Sequence, residues 1–212
     1  MILGIDTSAG QCAVALVRPG EAPIRRAERM ERGHAEALWP MIDFALAEAK
    51  AGYPDLHGIA VCTGPGSFTG IRVGVAAARG LALGLGVPAE GIDRFDALWA
   101  PVDLVTAPAD SGVAVALAGP RETAFLRLYD SACAQVGEDR QVPVAELEAL
   151  TPPNALRFGD GWPGAEPTAG LPDPAVLAQM AADATGEDAP APYYLRGPNA
   201  EPSRHRPPPR IG

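Results

Sequence analysis

Two segments of the chain carry residue types that could do chemistry. Residues 64–70, Gly64-Pro65-Gly66-Ser67-Phe68-Thr69-Gly70, stand between an apolar run and a helical pattern. Glycines there remove side chains, so backbone N–H groups can be exposed at a helix start to hold a phosphate, and Ser67 or Thr69 can cap that helix. The same residues also make an ordinary tight strand-to-helix turn, and their chemistry alone leaves both readings open. A P-loop is excluded, because the spacing G-x-x-x-x-G-K-[ST] is absent and no lysine follows. Asp6-Thr7-Ser8 ends the first apolar run and offers a carboxylate and two hydroxyls to a nucleotide phosphate or its magnesium ion. Turn chemistry accounts for the same three residues, since each residue type bonds nearby backbone.

Other constellations are missing. The three histidines, His34, His57 and His205, lie far apart, and no H-E-x-x-H motif is present, which argues against a zinc hydrolase. Gly64-Pro65-Gly66-Ser67-Phe68 does not satisfy the nucleophile elbow G-x-S-x-G. Cys12, Cys62 and Cys133 form no C-x-x-C pair, and Cys12 and Cys62 read as small buried residues in strands. A net charge of -9 disfavours independent nucleic-acid binding, which needs clustered cations, so any RNA would be held by a partner. The start Met-Ile-Leu-Gly-Ile-Asp lacks a basic segment and a cleavage site, and no apolar run reaches the roughly 20 residues of a membrane span. A cytoplasmic protein without membrane contact is the expectation.

The elements that must position these residues are most legible in the first half. Residues 2–6 and 12–18 predict a hairpin, 23–30 a third strand, 35–50 a helix, and 57–63 a buried strand. The glycine loop then leads into a helix ending near Leu85, and residues 87–92 predict another strand. Three antiparallel strands followed by alternating helix and strand is the order of a ribonuclease-H-like lobe. Further on, residues 113–118 and 123–129 predict paired strands and 155–158 a short one. A helix is expected over 174–184, capped by Asp173 with Pro174 in its first turn. The proline-rich, basic stretch 188–212 is expected to lack a fold of its own and at most to dock on a surface.

The combination of Ile5-Asp6-Thr7-Ser8, His34-Ala35-Glu36-x-Leu38, and Gly64 through Arg72 closely resembles the TsaB (YeaZ) family. The continuation Gly74-Val75-Ala76-Ala77-Ala78-Arg79-Gly80-Leu81-Ala82 fits as well, and so do Gly159-Asp160-Gly161 and Tyr194-Leu195-Arg196-Gly197-Pro198. The chain departs from the family's D-A-R segment at Ala118-Gly119-Pro120. The resemblance implies an α/β protein with the actin-like ATPase (ASKHA) fold: two ribonuclease-H-like lobes, mixed sheets flanked by helices. The lobes are expected over residues 1–100 and 101–187, followed by the tail. It implies paralogy with TsaD, whose metal-binding histidines would fall at Arg94 and Leu98, neither of which can ligate a metal.

The implied function is that of a noncatalytic subunit. It would be required with TsaD and the small ATPase TsaE for threonylcarbamoylation of the adenosine beside the anticodon in tRNAs reading codons that begin with A. The chain would contact tRNA only through the complex and form a homodimer when alone. ATP or ADP at the interface with TsaD would meet Asp6, Thr7, Ser8, Gly64, Gly66, Ser67 and Thr69. A small actin-like ATPase or kinase acting alone through Asp6 and the glycine loop is the rival reading.

One surface is predicted from helical spacing. Leu38, Ile42, Ala45, Leu46 and Ala49 make one stripe, sufficient to dock the 35–50 helix on a sheet. Ala37, Met41 and Phe44 widen the apolar arc beyond that, and Arg72, Ala76, Arg79 and Leu83 line the next helix. With His34, these residues are the expected interface to TsaD or to a second copy, unless the second lobe or the tail covers them.

Overall fold

The computed structural model describes residues 1–101, 111–182 and 189–195. Strands β1 (Ile2–Asp6), β2 (Gln11–Val17) and β3 (Ile24–Arg29) form an antiparallel meander. Strands β4 (Gly58–Cys62) and β5 (Ala89–Ile92) extend it in parallel, in the order β3-β2-β1-β4-β5. A second sheet repeats the plan without the fifth strand. Its strands β6 (Val113–Ala118), β7 (Thr123–Tyr129) and β8 (Arg140–Pro143) are antiparallel, and β9 (Leu156–Phe158) lies parallel to β6, in the order β8-β7-β6-β9. These are the two ribonuclease-H-like lobes of the actin-like fold.

Alternation along the strands sets what covers each face. Leu3, Ile5, Ile59 and Val61 point to one side of the first sheet, where they form a core with Leu38, Ile42, Ala45 and Leu46 of α1 (His34–Glu48) and Ile71, Val75 and Ala78 of α2 (Phe68–Leu85). The opposite side carries small residues such as Ala60 and Cys62, and here α5 (Pro174–Met180) lies close, with Leu177 in the core. The approach is tight enough that a Cβ on Gly4 would stand 1.8 Å from the Pro174 carbonyl oxygen. Asp173 caps this helix, its carboxylate accepting from the Ala175 N–H at 2.9 Å, as the sequence predicts.

Two expectations are corrected. The α5 helix stops at Met180, whereas the sequence suggested 174–184, and residues 183 and 184 lie outside the described part. More consequentially, α5 packs on β1, β2 and β4 of the first lobe, so the second lobe is not the contiguous block 101–187. Burial of the small-residue side of the first sheet draws the late helix back. The second sheet is covered by short pieces, α3 (Arg94–Trp99) against β6 and α4 (Leu147–Leu150) near β7, and sequence periodicity gave notice of neither helix.

Candidate functional site

The fold brings together the two polar segments singled out in the sequence, but turns them towards each other. Asp6, Thr7 and Ser8 are fully buried. The Asp6 carboxylate accepts from the Ser8 N–H at 2.9 Å and the Ser8 hydroxyl at 2.6 Å on Oδ1, and from Gln11 Nε2 at 2.8 Å on Oδ2. Thr7 Oγ1 donates to the Gly70 carbonyl at 2.7 Å, and the Ser67 N–H donates to the Ser8 carbonyl at 2.7 Å. Only glycine fits at position 70, where a Cβ would sit 2.0 Å from the Thr7 oxygen. Ser8 Oγ also lies 3.1 Å from Cys62 Sγ. Burial, with the Asp6 charge adding to it, pushes the Cys62 thiol up, so this residue stays a protonated, inert thiol. Asp6, Thr7 and Ser8 therefore form the foundation of the loop. Gly64 is buried with them, whereas Gly66, Ser67 and Thr69 are exposed. Ser67 caps α2, its Oγ accepting from the Gly70 N–H at 3.3 Å.

Gly66 and Ser67 lie on the rim of a cleft of about 1060 Å³ between the lobes, with Phe68 beside them and Phe125, Tyr193 and Tyr194 on the other walls. Arg94 crosses this cleft and is 5 % exposed. Its Nε donates to the Gly170 carbonyl at 2.6 Å, one terminal nitrogen to the Pro65 carbonyl at 3.4 Å, and the other to Asp160 Oδ2 at 3.2 Å. Asp160 in turn accepts from the Ala118 N–H at 3.0 Å. A fixed cation thus joins the glycine loop of the first lobe to the Gly159-Asp160-Gly161 loop of the second. Leu98 packs beside the second-lobe core. Arg94 and Leu98, the positions at which the resemblance would put metal-binding histidines, cannot ligate a metal: guanidinium has no lone pair to give, and leucine has no donor atom. Among the described residues no group of three or more His, Cys, Asp or Glu side chains could hold a metal ion.

A larger polar cluster escaped the sequence reading. Arg127, 6 % exposed, donates to both oxygens of Asp139 at 2.7 and 2.6 Å and to Asp93 Oδ2 at 2.6 Å, and its guanidinium lies 4.4 Å from the Phe95 ring centre. Tyr129 donates to Asp96, and Tyr193 to Asp139. Burial and the neighbouring Asp96 charge push the Asp93 carboxyl up. Burial and the hydrogen bond to Asp139 push the Tyr193 phenol up to about 12. The sequence signal was present but slight, a single arginine in the otherwise apolar β7 run Thr-Ala-Phe-Leu-Arg-Leu-Tyr.

The predicted helical face is largely open. Phe44 is 68 % exposed and Leu83 87 %; Arg72, Ala76 and Arg79 are exposed as well, while Ala37 and Met41 are partly buried. Among the described residues nothing covers Phe44. His34 is the exception: at 5 % exposure it faces the interior, with Nε2 unpaired among the described residues, and offers a partner no surface. Trp39, unnamed in the sequence reading, is exposed and borders a groove of about 360 Å³ with Gly80, Leu81, Gly84 and Leu85. The α2 helix is long and apolar enough to cross a membrane by length and composition, with mean hydropathy 1.3. Only 33 % of it is buried, and its buried residues pack on β1, β4 and β5.

Comparison with known proteins gives consistent results. The family model for TsaD, tRNA N6-adenosine threonylcarbamoyltransferase, matches residues 27–158. The tRNA threonylcarbamoyladenosine biosynthesis protein TsaB of Haemophilus influenzae is 34 % identical over 76 % of the chain and 72 % of its own length. TsaB of Escherichia coli is 38 % identical over 44 % of the chain and 40 % of its own length. Among solved structures, YeaZ from Pseudomonas aeruginosa superposes with a TM-score of 0.68 at 26 % identity, covering 91 % of this chain and 98 % of that one.

Proposed function

The chain belongs to the TsaB (YeaZ) family, and from that premise we propose that it serves threonylcarbamoyladenosine biosynthesis as a noncatalytic subunit held to a TsaD-type partner through α1 and α2. The observation that carries this reading is the uncovered face of those helices. An 18-residue helix with only a third of its length buried, beside an α1 that exposes Trp39 and Phe44, leaves apolar surface in water that association would remove. The glycines at 80 and 84 leave a groove in that face for a partner's side chain. TsaD, joined by TsaE, would transfer the threonylcarbamoyl group to the adenosine beside the anticodon. In keeping with its charge of -9, this subunit would meet tRNA only through the complex, in the cytoplasm. The noncatalytic assignment is supported by Arg94, which the resemblance would put at the position of a metal-binding histidine and whose guanidinium is held in the cleft by Gly170, Pro65 and Asp160.

A homodimer would use the same face and therefore compete with TsaD. Any ATP or ADP at the shared surface would meet the exposed rim of Gly66, Ser67 and Thr69, with Asp6, Thr7, Ser8 and Gly64 supporting the rim from below.

The test is a Phe44→Glu/Leu83→Glu double variant. Both side chains are exposed in the isolated chain, so its thermal midpoint should match the parent's. Burying a charge at an interface centre costs about 2 kcal/mol or more per site, and association with TsaD should weaken by at least about 100-fold. Reconstituted tRNA modification should fall with it. A folded double variant that binds TsaD and supports modification like the parent would remove this face as the interface.

A further inference from the structure

Two consecutive tyrosines at the cleft mouth reach in opposite directions. Residues 189–195 are pinned to the first lobe by the Tyr193 N–H, which donates to the Thr63 carbonyl at 2.9 Å, and by buried Pro190, which lies over Gly91. The Tyr193 side chain turns to the second lobe, where its hydroxyl donates to Asp139, the carboxylate that also holds Arg127. Tyr194 turns the other way. Its hydroxyl accepts from Arg72 Nε at 3.1 Å, and its ring centre lies 5.2 Å from that of Phe68. The Arg72 guanidinium in turn stands 3.9 Å from the Phe68 ring centre. Phe68, Tyr193 and Tyr194 all line the cleft.

Arg72 therefore belongs to two places at once. It completes the aromatic cluster at the cleft, and it begins the row Arg72, Ala76, Arg79, Leu83 along the exposed side of α2. Arg72 meets the Tyr194 hydroxyl through Nε, so a partner acceptor that draws the guanidinium off the Phe68 ring by its terminal nitrogens takes that N–H away from Tyr194. We propose that residues 189–195 form a strap joining the lobes whose grip on the first lobe is completed by Arg72. A TsaD-type partner that draws Arg72 into its own hydrogen bonds loosens the strap and opens the cleft. The inference rests on the partner reading above and adds a linkage between that face and the cleft.

Linkage is reciprocal: a bond that partner docking must break is a bond whose removal strengthens docking. Tyr194→Phe deletes the acceptor and keeps the ring on Phe68. The variant should bind TsaD about threefold tighter, the size expected for one partly exposed hydrogen bond. Hydrogen exchange in residues 189–195 gives the second readout, through the Tyr193 amide. In the parent it should speed up about threefold or more when TsaD binds. In Tyr194→Phe, and in Arg72→Met as a second variant, it should already be fast without TsaD. Unchanged or weaker binding by Tyr194→Phe overturns the proposal, as does unchanged or slower exchange in the TsaD-bound parent. If TsaD does not bind the parent, or binds Phe44→Glu/Leu83→Glu equally well, the interface reading fails and the linkage falls with it. Binding through the face without a change in the strap removes the linkage alone.

Discussion

The two lobes share a strand plan and are closed by different physics. In the first, three helices bury apolar side chains on both faces of the sheet, and three of its buried polar residues, Asp6, Thr7 and Ser8, fix one loop. In the second, the described residues cover the sheet with helices of six and four residues, and Arg127 with Asp93, Asp96 and Asp139 does much of the work that a long helix does in the first. The contrast separates two tasks. The lobe with long helices can leave one helical face free for a partner, because its core is already complete. The lobe with short ones is held by the Arg127 charge cluster and by tethers to its neighbour through Arg94 and Tyr193.

The largest effect should come from breaking the charged centre. Arg127→Met keeps the apolar stem and leaves three carboxylates facing one another. Removing one side of a buried ion pair costs about 3–5 kcal/mol, so the second lobe should unfold at markedly lower denaturant. The sign of the pH dependence is set by Asp93, whose carboxyl is already pushed up by burial and by Asp96. A carboxyl with a raised folded-state value binds its proton more tightly folded than unfolded, so its cost is present at neutral pH and fades on acidification through that raised value. Without Arg127 the Asp93 carboxyl loses the cation that opposes its rise, and the variant's deficit should shrink on acidification. Chemical denaturation at neutral and at acidic pH checks this. A deficit independent of pH would mean that packing over Phe95, rather than charge, is what Arg127 provides.

Much of the first lobe was legible because its signals are local. Alternation in β1 and β2, helical spacing in α1 and glycine punctuation at 64–70 each lie within a short window, and all the corresponding elements were found. The exposed residues of α1 and α2 could be read for the same reason, since an apolar arc wider than one buried face needs is visible in sequence. His34 was misplaced because spacing gives the face of a helix but not how far the chain dips at its first turn. The Arg127 cluster was not legible: its carboxylates come from residues 93, 96 and 139, so only tertiary structure assembles it. The same holds for Arg94, whose partners at 160 and 170 are remote in sequence. The duplicated strand order was hidden as well, because equivalent positions in the lobes share a topology without sharing side chains.

The return of α5 to the first lobe provides a second, smaller test. Leu177 is fully buried with Ala60, Cys62 and Ile92, residues of β4 and β5. Leu177→Ala should cost about 2–4 kcal/mol, as for other buried leucines replaced by alanine. It should loosen hydrogen exchange in β1 and β4 more than in β6 and β7, although position 177 comes after the second sheet in sequence. Loosening confined to β6 and β7 would return α5 to the second lobe.

The smallest expected effect concerns Ser67, at the point where the two lobes differ most in the connection that leaves a matching strand. After β4 the chain enters the 18-residue α2, whose first turn needs a cap; after β9 it passes through the Pro167–Gly170 turn before returning as α5. Ser67 can be read as that cap or as part of a ligand site, and its bond to the Gly70 N–H at 3.3 Å supports the cap. The Ser67→Ala variant should then lose about 0.5–1 kcal/mol, while Ser67→Asp, another good cap that also suits the positive end of the helix dipole, should keep the parent's stability. Reconstituted modification should be alike for both variants and the parent. The ligand reading predicts the reverse pattern, because a carboxylate would repel a phosphate that the serine hydroxyl accommodates. A Ser67→Asp protein that is stable and binds TsaD, yet fails to support modification, would move Ser67 from the scaffold of the loop into its chemistry.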